Sequence, residues 1–167
     1  MVLTLAAARP ESSHPLEQVE ELFIQRDLPF DASIENELMA ELVGSWCQYR
    51  LWYNWQEDIR VLVFSCAFDL RLPEKIRPLV TPLLARVNEK LWLGHFDLAH
   101  EDGAVMFRYS LLVPEYSTLP VEQLESLLDI AVTECDRFYP ALQGFIWGNK
   151  SADDALALAM FETAGEA

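Results

Sequence analysis

The chain has 167 residues, of which 51% are hydrophobic and 23% are charged, a composition typical of one globular domain. Its 12 basic and 27 acidic side chains give a net charge of −15, which disfavours binding to nucleic acid or to anionic membranes. Three cysteines without CxxC spacing predict reduced thiols in a cytoplasmic protein, and no zinc site. No apolar run approaches the roughly 18 residues of a membrane span.

The charge is unevenly distributed along the chain. Residues 1–45 carry a net charge of −7, residues 46–112 are neutral, and residues 113–167 carry −8. Acidic flanks of this kind either keep a helical surface solvated or leave a neutral sheet face for a specific partner. We expect one domain over residues 14–163, a flexible N-terminal arm at 1–13 that is not a signal peptide, and a loose tail at 164–167.

The first third of the chain predicts a helix followed by a strand. Ser13 is expected to cap the helix and Pro15 to occupy its first turn. Apolar residues then recur at helical spacing as far as Phe23. Over residues 34–42 the period becomes two, which predicts an edge strand with an acidic outer face, although helical spacing also fits.

The middle third predicts a hairpin, a helix and a second hairpin. The first hairpin joins residues 46–55 to residues 59–68, so that Cys47 and Cys66 fall on paired strands and could approach each other. Pro78 and Pro82 cannot both lie free inside one helix, so the helix is expected to begin near Pro78 or later, after an entry segment at 73–77. Residues 92–98 and 104–113 form the second hairpin, with an Asp-Gly turn at Gly103.

The last third predicts only helices. A long helix begins at Leu119-Pro120 and is broken or kinked at Pro140, and a short helix over residues 141–147 ends at Gly148. Ser151 and Asp154 resemble a capping box for a last helix over residues 152–161.

The resulting order is α-β-β-β-α-β-β-α-α. It predicts the α+β class, as an antiparallel sheet with helices packed on one face.

Motif searches give no support for catalysis. Phosphate-binding loops, zinc-protease motifs and the nucleophile elbow are all absent from the sequence. His95 and Asp97, with the acidic turn after them, make a metal site conceivable, but a solvated turn explains them better. Cys135 continues the apolar stripe of a helix, which favours an inert buried thiol. We expect no catalytic residue, no metal and no cofactor.

The strand alternation suggests an interaction surface instead. Trp46, Arg50 and Trp52 share one face of their strand, and we place Arg108 with them as a partner or dimer interface. Aromatic and Arg side chains with few Lys or Glu are typical of such interfaces. Loops or a C-terminal helix covering this face are the alternative. An open face predicts a two-fold homodimer with Trp52 at the contact.

A second functional hypothesis is an enzyme or a small-molecule sensor. It would use a pocket around His95, Asp97 and Arg108, and it is supported by these few polar side chains on strands.

Six segments of the chain resemble the YbjN family of bacterial sensory transduction regulators, over about residues 14–167. They are GSWCQY (44–49), FSCAFD (64–69), NEKLWLGHFD (88–97), FRYS (107–110), ECDRFYPA (134–141) and the terminal GEA. The resemblance implies a fold similar to that of type III secretion chaperones. It also implies a non-catalytic role in binding a protein partner, regulatory or chaperone-like. The Pro78 and Pro82 pair departs from the family pattern.

Overall fold

The computed structural model describes residues 14–148 and 151–161. Six strands form one antiparallel sheet in the order β1-β2-β3-β4-β6-β5, with the helices on one of its faces. The elements are α1 (Pro15–Gln25), β1 (Phe30–Asp31), β2 (Glu37–Val43), β3 (Gln48–Gln56), β4 (Val61–Arg71), α2 (Arg77–Asn88), β5 (His95–Leu98), β6 (Ala104–Leu112), α3 (Val121–Trp147) and α4 (Ala152–Phe161). The predicted α+β class is therefore confirmed, with the two-residue β1 as an addition to the expected order.

The predicted arm at 1–13, the Ser13 cap and the tail at 164–167 lie outside the described residues. Within the described residues, His14 is the N-cap of α1, and Pro15 occupies the first turn as expected. No helix in this part of the chain is both long enough and apolar enough to cross a membrane.

The period of two in β3 sets the two faces of the sheet. Its inward side chains, Tyr49, Leu51, Tyr53 and Trp55, are all buried beneath the helices. Phe23 of α1 packs edge-on against Tyr53 at 5.7 Å, and Phe138 of α3 lies 4.5 Å from Phe96, ring centroid to ring centroid. The core therefore lies between the sheet and the helices, and the opposite face of the sheet is left to other contacts.

Pro140 does not divide the long helix, which corrects the sequence prediction of two helices. α3 runs without interruption from Val121 to Trp147, with Pro140 inside it. A proline has no N–H, so the carbonyl four residues earlier, that of Asp136, loses its intrahelical donor. The indole Nε1 of Trp46 donates a hydrogen bond to this carbonyl at 2.9 Å and takes the place of the missing donor.

The same region corrects the predicted start of β3. The amide of Gly44 donates to the carbonyl of Cys47 at 2.9 Å, which closes a turn, and the strand begins only at Gln48. The carboxylate of Asp136 accepts hydrogen bonds from the Ser45 amide, the Ser45 hydroxyl and the Tyr49 hydroxyl. The turn between β2 and β3 is thereby fixed to α3, on the helical side of the sheet.

Strands β2 and β5 also begin later than predicted. β2 begins at Glu37 and not at Ile34, because Asn36 has a left-handed backbone with φ 61°. β5 begins at His95 and not at Trp92, after Gly94 with φ 67°, where a Cβ would lie 2.2 Å from the Phe107 ring.

The cysteine contact also differs from the expected one. Cys66 of β4 contacts Cys135 of α3, with 3.8 Å between the two Sγ atoms, and both side chains are fully buried. Cys47 precedes β3 and remains half-buried. All three thiols are free.

The α2 helix begins at Arg77, close to the predicted position, and contains Pro82. Its last residue, Asn88, reaches β5 at the margin of the sheet. The Asn88 carboxamide accepts from the Phe96 amide at 2.7 Å and donates to the Phe96 carbonyl at 3.0 Å. This side chain satisfies the outward backbone groups of Phe96 in this edge strand, as a neighbouring strand would.

Candidate partner-binding surface

The side of the sheet that faces away from the helices is called here the open sheet face. It consists of the outward residues of five strands, which the strand register arranges in rows. The first row is Met39, Trp52, Ser65, Arg108 and His95. The second row is Glu41, Arg50, Ala67, Met106 and Asp97. Val43, 84% exposed, and Leu112, 65% exposed, add apolar surface at the margins of this face.

The structure brings together three of the four predicted interface residues. Trp52 and Arg108 are the register partners of Ser65 on its two sides, and Arg50 lies in the next row. The Trp52 indole donates to Glu37 at 3.1 Å, and an Arg50 guanidinium nitrogen lies 3.4 Å from Asp69.

Trp46 does not belong to this group. It lies in the turn before β3 and is bound to α3 on the helical side of the sheet. Its place in the predicted interface was wrong, because the turn at Gly44 interrupts the alternation that would have carried it to the outward face.

The other predicted site residues are adjacent but do not enclose a pocket of their own. Arg108 Nη1 donates to Asp97 Oδ2 at 2.9 Å, and His95 is the register partner of Arg108. Partial burial raises the pKa of Asp97, but hydrogen bonds from Arg108 and the Leu98 amide, with the positive charge of Arg108, outweigh this effect and leave the pKa below its usual value.

A hollow of about 780 Å³ lies close to these residues, between α2 and β5. Asp97 contributes to its wall together with His100 and Arg77, whereas His95 and Arg108 are not among the described residues that line it. The Arg77 side chain is occupied by the carbonyls of Leu72 and His100. The hydrogen bonds of Arg77 around this hollow therefore join parts of the fold to one another.

A second hollow, of about 510 Å³, lies within the open sheet face itself. Met39, Trp52, Ser65 and Met106 contribute to its lining, and β1 forms one wall. Ser65 is only 2% exposed, and its hydroxyl has no hydrogen-bond partner among the described residues. This hollow is called here the sheet cavity.

Sequence reasoning missed Ser65 and the wall formed by β1. The alternation of β4 places Ser65 outward, as a single hydroxyl within the apolar run VLVFSCAF, and that signal was present in the sequence. A strand of two residues, as in β1, leaves no periodicity to detect.

No group of three or more potential metal ligands occurs among residues 14–148 and 151–161. The open sheet face offers apolar side chains, guanidinium groups, carboxylates, one imidazole and one orphaned hydroxyl, a mixture that occurs in protein interfaces.

Comparison with known proteins agrees with this architecture. A family model named YbjN and described as "Putative bacterial sensory transduction regulator" matches residues 15–144. The chain belongs to the YbjN family. Its family description names a regulator and no enzymatic activity.

Among solved structures, the chain is similar to the crystal structure of YbjN from E. coli, described as "a putative transcription regulator". The two share 14% sequence identity with a TM-score of 0.50, over 72% of this chain and 85% of the other. At this identity the likeness concerns the fold. A search of curated proteins finds no match.

Proposed function

We propose that this YbjN-family chain is a non-catalytic cytoplasmic regulator that acts by binding a polypeptide through the open sheet face. The observation that carries the proposal is the juxtaposition of Arg50, Trp52 and Arg108 around apolar surface on a sheet whose other face is covered by helices. Trp and Arg are the residue types most enriched at the energetic centres of protein interfaces. The free thiols fit a reducing compartment.

The charge of the chain favours a protein over a nucleic acid as its partner. A net charge of −15 repels the phosphate backbone, and the open sheet face carries acidic as well as basic groups. If the chain influences transcription, we infer that it does so by contacting another protein. A DNA-binding titration at low salt checks this inference, and we expect no saturable binding.

The decisive experiment compares two surfaces of the same protein. A partner captured by the tagged wild type is expected to be lost with Arg50→Glu and to be retained with Glu122→Lys, which changes the charge of α3 on the helical side. Both positions are exposed, so both variants should fold. Retention of the partner by Arg50→Glu and its loss with Glu122→Lys would contradict the proposal.

A regulatory and a chaperone-like role predict different states of the bound partner. A regulator binds its partner folded, whereas a chaperone-like protein holds a segment that has not yet folded. Hydrogen exchange on the captured partner distinguishes the two roles, because amides of an unfolded segment exchange rapidly. A fold like that of secretion chaperones, which the family resemblance implies, would not by itself supply chaperone activity.

A second copy of this chain is the simplest polypeptide that the open sheet face can bind. We propose a two-fold homodimer in which this face meets itself, because isologous pairs are the commonest assembly of soluble proteins. The open sheet face carries Glu41 and Asp97 as well as Arg50 and Arg108. Basic groups of one copy could therefore pair with acidic groups of the other, which limits repulsion between like charges.

A further inference from the structure

The sheet cavity has the dimensions of a small-molecule site. Its volume of about 510 Å³ falls within the range of roughly 300–1,000 Å³ that such sites occupy. Met39 lies beside Trp52 in the first row, Met106 lies in the second row, and β1 closes one end. Thioether and indole side chains are polarisable and adapt to planar or bulky apolar groups.

Ser65 provides an independent sign that something binds here. It belongs to the lining of the cavity, is almost completely buried, and its hydroxyl has no hydrogen-bond partner among the described residues. A buried polar group without a partner costs free energy in the folded protein. Rotation of the Ser65 hydroxyl toward a polar atom of a bound molecule would remove that cost.

The charges around the cavity favour a cation. Asp31 and Glu41 both contribute to its lining. Arg50 also lines it, but its guanidinium lies 3.4 Å from Asp69, which offsets its charge. The remainder of the chain is strongly acidic, so the overall field attracts cations and repels anions. The face of a tryptophan ring, here that of Trp52, adds the strongest cation–π attraction among side chains.

We infer that the sheet cavity binds a lipophilic organic cation, with the apolar body against Met39, Trp52 and Met106 and the positive charge toward Asp31 and Glu41. This inference does not rest on the polypeptide partner proposed above. It assigns a small-molecule effector site to a surface that the sequence analysis treated only as an interface. The sequence analysis placed a possible ligand pocket around His95 and Asp97, whereas the sheet cavity lies toward the β1 side of the same face.

Two probes of equal shape and opposite charge test the inference. Tetraphenylphosphonium and tetraphenylborate differ little in size, so the apolar contribution to binding is the same for both. Isothermal titration calorimetry on the full chain is expected to show saturable binding of the phosphonium ion and at least tenfold weaker binding of the borate. Quenching of tryptophan fluorescence by the phosphonium should saturate at the same concentration and disappear in part with Trp52→Leu.

A charge-matched pair of variants separates the cavity from the general field of the protein. Asp31→Asn combined with Glu41→Gln should weaken phosphonium binding at least fivefold. Both substitutions keep a carbonyl oxygen that can accept the present hydrogen bonds from the Ser33 amide and the Gln48 side chain. Glu101→Gln combined with Glu122→Gln removes two charges outside the cavity and should leave the affinity within twofold.

Three outcomes would overturn the inference. The first is equal affinity for the two probes, which would indicate an apolar groove suited to a side chain of a polypeptide. The second is equal weakening by the two double variants, which would assign the cation preference to net charge alone. The third is the absence of phosphonium binding up to millimolar concentration. The titrations are made at a protein concentration at which light scattering shows a monomer, because the proposed homodimer would cover Trp52. Capture of a protein partner by wild type and by Arg50→Glu has a separate readout, so the two proposals fail separately.

Discussion

Trp46 donates its indole N–H to the Asp136 carbonyl, the one backbone acceptor in α3 that Pro140 leaves without its usual donor. The two residues are 90 positions apart in the chain. A tryptophan in a turn thus completes the hydrogen bonding of a distant helix, and a proline is accommodated without breaking that helix.

The first prediction concerns this hydrogen bond. Trp46→Phe keeps an aromatic ring but removes the donor, so the free energy of unfolding should fall by about 1 kcal/mol. Chemical denaturation followed by far-UV circular dichroism measures the change. Trp92→Phe is the matched control, because Trp92 is 75% exposed in the connection between α2 and β5, and it should change stability by less than about 0.5 kcal/mol. Equal effects of the two substitutions would exclude a specific role for Trp46.

The second prediction is a coupling between Trp46 and Pro140. Pro140→Ala restores an N–H that can donate to the Asp136 carbonyl within the helix. In that background Trp46→Phe should cost clearly less than it does in the wild type, and a double-mutant cycle measures the difference. Additive effects would mean that the indole does not replace the missing helical donor.

The third prediction concerns thiol reactivity. Burial raises the pKa of Cys47 and raises that of Cys135 further, so little reactive thiolate exists at neutral pH. Cys47 is half-buried, whereas Cys66 and Cys135 are completely enclosed. Under native conditions Ellman's reagent should therefore modify Cys47 slowly, and the other two only on unfolding. The Cys47→Ser variant should be unreactive until denaturant is added; rapid labelling of that variant would contradict the packing of α3 on β4.

The fourth prediction concerns the ionisation of Asp97. Its pKa is held below the usual 3.8 by Arg108 and the Leu98 amide, against the effect of burial. Arg108→Gln removes the positive charge, so the pKa should rise, as measured by carbon NMR of the carboxyl group during a pH titration. A carboxyl with a lowered pKa stabilises the fold above its unfolded-state pKa of about 3.9, and this contribution is lost as the pH falls through the folded-state value. The wild type should therefore lose more stability than Arg108→Gln below about pH 4.

The fifth prediction tests the homodimer. Trp52→Lys places a charge in the middle of the open sheet face, where a second copy would have to desolvate it, so light scattering should show a dimer for the wild type and a monomer for the variant. The variant should remain folded, because Trp52 is half-buried and the new ammonium group would lie near Glu37, the present partner of the indole. A wild type that is monomeric at tens of micromolar would contradict the dimer, as would a variant that unfolds.

The alternation of apolar and polar residues predicted five of the six strands and the two faces of β3. In the segment from Tyr49 to Trp55 every inward side chain is large and buried. The outward side chains, Arg50, Trp52 and Asn54, all carry a polar group. This pattern can be seen in the sequence because successive side chains of a strand point to opposite faces of the sheet, whatever the rest of the chain does.

The features that the sequence did not predict depend on contacts between distant residues. In the sequence the alternation continues through Trp46, yet a turn and a hydrogen bond to α3 place that side chain on the helical side. Cys66 lies opposite Cys135 and not Cys47 because α3 crosses β4 at that position. The sheet cavity depends on β1, whose two residues join the sheet only because β2 is present to pair with them.

The carboxamide of Asn88 has a consequence for how large an assembly of this protein can grow. A sheet that extends from molecule to molecule by strand pairing, as in fibrils, needs two edge strands with unpaired backbone groups on every subunit. At β5 the outward backbone groups of Phe96 are already satisfied within the chain, since Asn88 binds both of them. Addition at the β1 margin could then join one further molecule at most, and growth in that direction would stop. The Asn88 side chain therefore disfavours open-ended growth by strand pairing.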